Sequence, residues 1–157
     1  MACGHHHFEL KEFEIALTYF IQIKGPKAYF FTGKTFHEMG NNKEATVQFL
    51  KVVKTKNKYS RAALNELGVL CESENKLPEA IKHFEEAANG DAYGNLARIY
   101  EQQGKTEKAL EYYTKGKDIG DEDCAYNLGI FLINQRKKEK KGQPKTEWYS
   151  LDLLLLL

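Results

Sequence analysis

Apolar residues recur along this chain at offsets of three, four and seven, which place them on one face of an α-helix. Period-two alternation, the mark of a half-buried strand, is nowhere sustained. A small residue opens four of these faces: Ala16, Ala45, Ala80 and Ala109, separated by 29, 35 and 29 residues. Four positions after each stands an aromatic, Phe20, Phe49, Phe84 or Tyr113, and three further on come Ile23, Val52, Ala87 and Gly116. A small residue lets a neighbouring helix approach closely, and the aromatic fills the space beside the contact.

A second phrase precedes the first in each unit. Ala63-(x3)-Leu67-Gly68, Ala92-(x3)-Leu96-Ala97 and Cys124-(x3)-Leu128-Gly129 line up, with Ala28-(x3)-Thr32-Gly33 as a weaker copy. Three residues beyond the glycine or alanine stand Phe36, Cys71, Tyr100 and Leu132. Between the phrases lie "MGNNK" (39–43), "SENKLP" (73–78) and "QQGKT" (102–106), which stop one helix and start the next. Pro78 suits a first helical turn. The unit is helix, tight turn, helix, repeated at the period of a stacked array, because one helix pair cannot bury its apolar face alone. The pattern predicts an all-α solenoid of antiparallel helix pairs, about 3.5 to 4 repeats over residues 1–135.

The phrase "AANGDAYGNLARIY…KALEYYTKGKDIGDEDCAYNLGIF" resembles the Sel-one-like repeat, a relative of the tetratricopeptide repeat. Residues 60–135 carry the likeness best, and residues 9–58 resemble a degraded tetratricopeptide-like version. Gly116 and Val52 stand where an alanine is usual in these families. The resemblance implies a helical-repeat scaffold for protein–protein contacts and names no chemistry.

Both ends depart from the pattern. Counting back from Ala16, Cys3-Gly4 falls where Leu-Gly should stand, so the chain opens part-way through a first helix. After Gln135 no second phrase follows. Residues 136–143, which contain "RKKEKK", read as a basic linker. Residues 144–157 read either as a divergent capping helix, with Trp148, Leu151 and Leu155 on one side, or as an apolar tail that hooks a partner.

Charge changes the picture little: 23 basic and 22 acidic residues give a formal net charge of +1. That balance argues against binding nucleic acid or an anionic membrane with the whole surface. Cys3, Cys71 and Cys124 are odd in number and far apart, so they form no disulfide framework. The N-terminus lacks a basic region followed by an apolar core, and "LDLLLLL" is too short to cross a bilayer. These features predict a soluble, cytoplasmic protein without a transmembrane segment.

Several short motifs mimic chemistry. "TGKT" (32–35) and Gly104-Lys105-Thr106 copy the end of a phosphate-binding loop, but Ala28 and Ile99 occupy the place of its first glycine. "HEMGN" (37–41) has Asn41 where a zinc-protease helix needs its second histidine. "CGHHH" (3–7) offers metal-binding atoms, yet successive histidines on a helix point apart. Cys71 and Cys124 fall on apolar faces and read as inert thiols. No catalytic constellation, metal site or cofactor site is expected, and a nucleotide- or metal-dependent enzyme is the weakest of three functions.

In a stacked array the first helices of the units line the concave side. The positions expected to face out there are Phe30, Lys34 and His37; Asn65, Val69 and Glu72; Asn95, Arg98 and Glu101; and Tyr126, Asn127 and Ile130. In tetratricopeptide relatives such positions hold an extended peptide. Lys34, His37, Asn65, Glu72, Asn95, Arg98, Glu101, Tyr126 and Asn127 are the candidate partner-binding residues, with Asn, Lys and Arg donating to a peptide backbone or carboxylate. The leading expectation is a non-catalytic adaptor for a protein or peptide partner. A structural subunit of a larger assembly, docked through its ends, is the alternative.

Overall fold

The structure, a computed structural model, describes residues 2–142, with the backbone alone for residues 139, 140 and 142. Its helices are α1 (Ala2–Glu9), α2 (Phe13–Phe20), α3 (Pro26–Glu38), α4 (Asn42–Lys54), α5 (Ser60–Ser73), α6 (Leu77–Ala87), α7 (Gly90–Gln102), α8 (Thr106–Asp118) and α9 (Glu122–Gly142). Among the described residues there is no strand. α1/α2, α3/α4, α5/α6 and α7/α8 are antiparallel hairpins, each packed on the next, and α9 closes the stack against α7 and α8.

One contact repeats inside every hairpin. Gly4, Gly33 and Gly68 on the first helices face Phe20, Phe49 and Phe84 on the second, always sixteen residues later. A Cβ added to Gly68 would sit 2.5 Å from Phe84 Cε1, and on Gly4 or Gly33 it would sit 2.8 Å from the facing ring. The glycine is therefore a slot for the ring, and Phe20, Phe49 and Phe84 are fully buried. In the fourth hairpin Ala97 and Tyr113 keep the same separation, and both are buried. The marker alanines Ala16, Ala45, Ala80 and Ala109, four residues before these aromatics, are completely buried too.

The turn inside each hairpin is equally regular. Lys11, Gly40, Asn75 and Gly104, each seven residues after the slot, take left-handed backbone angles with φ between 58° and 78°. The next N–H then reaches back to a carbonyl of the last helical turn: Glu12 to His7, Asn41 to Phe36, Lys76 to Cys71 and Lys105 to Tyr100, at 2.8–2.9 Å. This closure satisfies carbonyls that the helix end leaves open. Each first helix consequently stops five residues beyond its slot, at Glu9, Glu38, Ser73 and Gln102.

Units join through small residues. Gly116 on α8 lies against Cys124 on α9, and a side chain at Gly116 would overlap the Cys124 sulfur. That explains the missing alanine there. Val52 packs with Ala63 in one core cluster, and Ala87 packs with Ala92 in the next. New helices are started by side chains: Asn89 Oδ1 accepts from Ala92 N–H at 3.0 Å, and Asp121 Oδ1 accepts from Cys124 N–H at 2.8 Å. Pro26 and Pro78 occupy first turns.

The stretch after Gln135, expected to be a linker, is helical as far as Gly142. Arg136 stands seven residues after Gly129, where the hairpins turn, but the run that follows consists of Lys and Glu, good helix formers. α9 therefore continues eight residues past the point at which the other first helices stop. The proposed cap or tail, residues 144–157, lies outside the described residues. No helix among the described residues is long and apolar enough to cross a membrane.

The slot makes a sharp mutational contrast. Gly68→Ala forces Phe84 to move and should destabilise the fold by about 1–3 kcal/mol. Gly129→Ala meets no described atom of its own chain within 4 Å and, in the dilute single chain, should be neutral or stabilising by up to about 1 kcal/mol, the helix preference for alanine. Urea denaturation of the two variants beside the parent checks both.

Candidate functional site: a polar groove on the first helices

The first helices of successive units stand side by side, and polar side chains link them across the concave face. Asn95 Nδ2 on α7 donates to Asn65 Oδ1 on α5 at 3.1 Å. Arg98 Nη1 and Nη2 on α7 donate to both carboxylate oxygens of Glu72 on α5, at 2.8 and 2.7 Å. Lys34 Nζ on α3 lies 3.8 Å from Glu66 Oε1 on α5. On the far side of α7, Tyr113 O–H donates to Glu101 Oε2 at 3.2 Å.

Above these contacts runs a groove of about 580 Å³. Lys34, Asn65, Asn95, Arg98 and Asn127, all expected from the sequence, line it together. Glu72 and Glu101 reach it indirectly, through Arg98 and Tyr113. His37 lies apart from the lining, with Nδ1 3.3 Å from Asn42 Oδ1. Tyr126 is 71% exposed and also outside the lining.

Sequence reasoning missed the acidic part of the wall. Glu66, Asp91, Asp121 and Asp123 line the same groove. Three of them sit at or just before the starts of α7 and α9, where acids suit the positive end of a helix. Their signal in the sequence is the thirty-residue spacing of Asp91 and Asp121, at helix starts rather than mid-helix. Gly90 belongs to this wall because any side chain there would overlap the Asp121 carboxylate.

The electrostatics follow from burial and pairing. The Glu72 carboxylate, by hydrogen bonding, holds the Arg98 guanidinium in its charged form and moves its pKa up. Burial raises the pKa of Glu66, with Lys34 and His37 only partly compensating. Burial, reinforced by Glu101, pushes the Tyr113 phenol up to about 12. Burial and then the Asp121 hydrogen bond push the Cys124 thiol up to about 12, and its sulfur points at the Gly90 carbonyl, 3.4 Å away. A thiol so held is an inert packing group at neutral pH.

The tempting motifs resolve into architecture. Thr32, Gly33 and Thr35 of "TGKT" are buried within α3, and Gly104-Lys105-Thr106 forms a hairpin turn. In "CGHHH" His7 Nδ1 pairs with Glu12 at 2.5 Å and its ring stacks on Tyr19. Among the described residues no group of three or more His, Cys, Asp or Glu is arranged to hold a metal ion.

Residues 90–119, the pair α7/α8, match the family model of the tetratricopeptide repeat. The α7/α8 hairpin is thus of the tetratricopeptide type. The match falls within the stretch that carries the best Sel-one-like resemblance, and it is to the tetratricopeptide repeat. Solved structures share the fold. The crystal structure of MamA is 20% identical over 89% of this chain and 98% of that one, with a TM-score of 0.62. MamA from residue 41 to its end, from Desulfovibrio magneticus RS-1, is 19% identical over 96% and 92%, with a TM-score of 0.63. The C-terminal part of a TPR repeat-containing protein from Cytophaga hutchinsonii is 17% identical over 88% of this chain and 59% of that one, at 0.65. No curated protein matches the sequence.

Two outcomes check the groove's electrostatics. A raised Glu66 pKa means its charged form opposes folding, so its stabilising share is full below about pH 4.5 and fades as pH rises through the folded value. Glu66→Gln should therefore match the parent at pH 4 and melt about 1–3 °C higher at pH 7. A double-mutant cycle on Glu72→Ala and Arg98→Ala should give a coupling of about 0.5–1.5 kcal/mol, the range for a partly exposed bidentate pair.

Proposed function

We propose that this tetratricopeptide-type array is a non-catalytic scaffold that holds an extended segment of a protein partner along the α5–α7–α9 groove. The observation that carries the reading is the alignment of Asn65, Asn95 and Asn127, one carboxamide from each of three successive first helices, along one polar cleft. A carboxamide both donates and accepts, so a row of them suits the N–H and C=O groups of an extended backbone. Arrays of this fold support protein–protein contacts in general. The three free thiols suit a reducing compartment such as the cytoplasm.

Charge refines the class of partner. Glu66, Asp91, Asp121 and Asp123 outnumber Lys34 and Arg98 in the lining, and the Arg98 fork is already filled by Glu72. A free carboxylate would have to break that pair. A segment that presents backbone amides with Lys or Arg side chains meets the groove without a penalty of like charge.

Selection from a random peptide display library tests the reading. Binders should be rich in Lys or Arg and should shift the side-chain amide NMR signals of Asn65, Asn95 and Asn127. Asn95→Ala combined with Asn127→Ala should weaken them about tenfold or more, some 1.4 kcal/mol. Binders whose shifts map to the α2, α4, α6 and α8 side would contradict the proposal, as would a selection that yields none.

A further inference from the structure

Within the array, the outward edge of each first helix is covered by the first helix of the next unit. On α5 that edge carries Asn65 and Glu72, three residues before and four after Gly68, and both are bound by α7 through Asn95 and Arg98. On α9 the same places, counted from Gly129, hold Tyr126 and Ile133. These are apolar, and they are 71% and 52% exposed. A terminal repeat ordinarily turns a polar face outward; this helix, the last described, does the reverse. Between the two, no described atom comes within 4 Å of a Cβ placed on Gly129.

The stripe extends in both directions. Glu122, Tyr126, Gly129, Ile133 and Lys137 follow one another at intervals of four, three, four and four, one face of the helix. Glu122 and Lys137 are both exposed. The face is acidic at its start, apolar in the middle and basic toward its end. It is also symmetric under reversal. Residues 122 and 137 are equally far from the Gly129–Ile130 junction, and so are 126 and 133.

We propose that α9 is a homodimer interface, with the α9 of a second copy of this chain packed antiparallel across a twofold axis near Gly129 and Ile130. Reversal sets Glu122 of one copy beside Lys137 of the other, twice, and Tyr126 against Ile133, twice. Gly129 at the crossing lets the two backbones come close. One patch meeting its own copy is what a twofold interface requires, and its charge pattern disfavours parallel pairing, which would set like charges together.

Light scattering coupled to size exclusion, on the full 157-residue chain at tens of micromolar, tests this. The parent should run at twice 18.0 kDa. Ile133→Arg should run as a monomer with unchanged helical circular dichroism. Glu122→Lys should weaken dimerisation about tenfold, and adding Lys137→Glu should restore it; this charge exchange decides the matter if Ile133→Arg fails to fold. A monomeric parent overturns the proposal, whether residues 143–157 or nothing covers the face. A dimer indifferent to both changes, or a charge exchange that fails to restore pairing, overturns it equally.

Discussion

A ring seated in a gap left by a missing side chain is the contact on which this molecule depends. Phe20, Phe49 and Phe84 each enter the space where Gly4, Gly33 or Gly68 lacks a Cβ. The fit fixes how near the two helices of a hairpin lie and how they are rotated about their axes. Because dispersion and burial reward close contact steeply, a methyl group in the gap is felt at once. Ala97 and Tyr113, sixteen apart in one buried cluster, show how far the rule bends: the first helix carries a methyl there, and the Tyr113 ring is 6% exposed with its hydroxyl bonded to Glu101. From this contact the remaining geometry follows. The first helices end five residues later, the turn goes left-handed two residues after that, and the concave face is set by which positions remain.

Much of this was legible in the sequence because the repeat is written in side-chain size. Ala16, Ala45, Ala80 and Ala109 mark the second helices, and all are completely buried. Irregular marker spacings of 29, 35 and 29 obscured a stricter rule. Slot and ring are always sixteen apart, and all the variation lies in the connections between hairpins, such as the longer path from Thr55 to Tyr59. The groove was half legible. Mid-helix positions such as Asn65, Asn95 and Arg98 follow from helical offsets alone. Glu66, Asp91, Asp121 and Asp123 do not, since helix-start acids belong to the groove only once the units are stacked. The pairing of Arg98 with Glu72 also needs the third dimension, being 26 residues distant along the chain. Helix α9 runs on beyond Gln135 to Gly142: a run of charge looks like a solvated linker in sequence, yet Lys and Glu are content in a helix.

Two parts of one architecture carry the two proposed contacts. Along the concave face, neighbouring first helices tie themselves together with amides and ion pairs and leave a polar trough beside them. At the last described helix the equivalent positions turn apolar, so the edge that elsewhere receives another unit is left ready for association. Under the proposed reading the two jobs are separate: trough chemistry would select a segment, and the outer edge would govern assembly. Neither asks for a reactive group, and the one buried thiol beside the trough, Cys124, is held protonated by its surroundings.

The central claim concerns the seated rings, and proton NMR reads it most directly. The account predicts through-space contacts between the Gly33 and Gly68 α-protons and the rings of Phe49 and Phe84, with those α-protons displaced upfield by the ring currents. Glycine α-protons at ordinary shifts, without contacts to the residue sixteen places on, would contradict it.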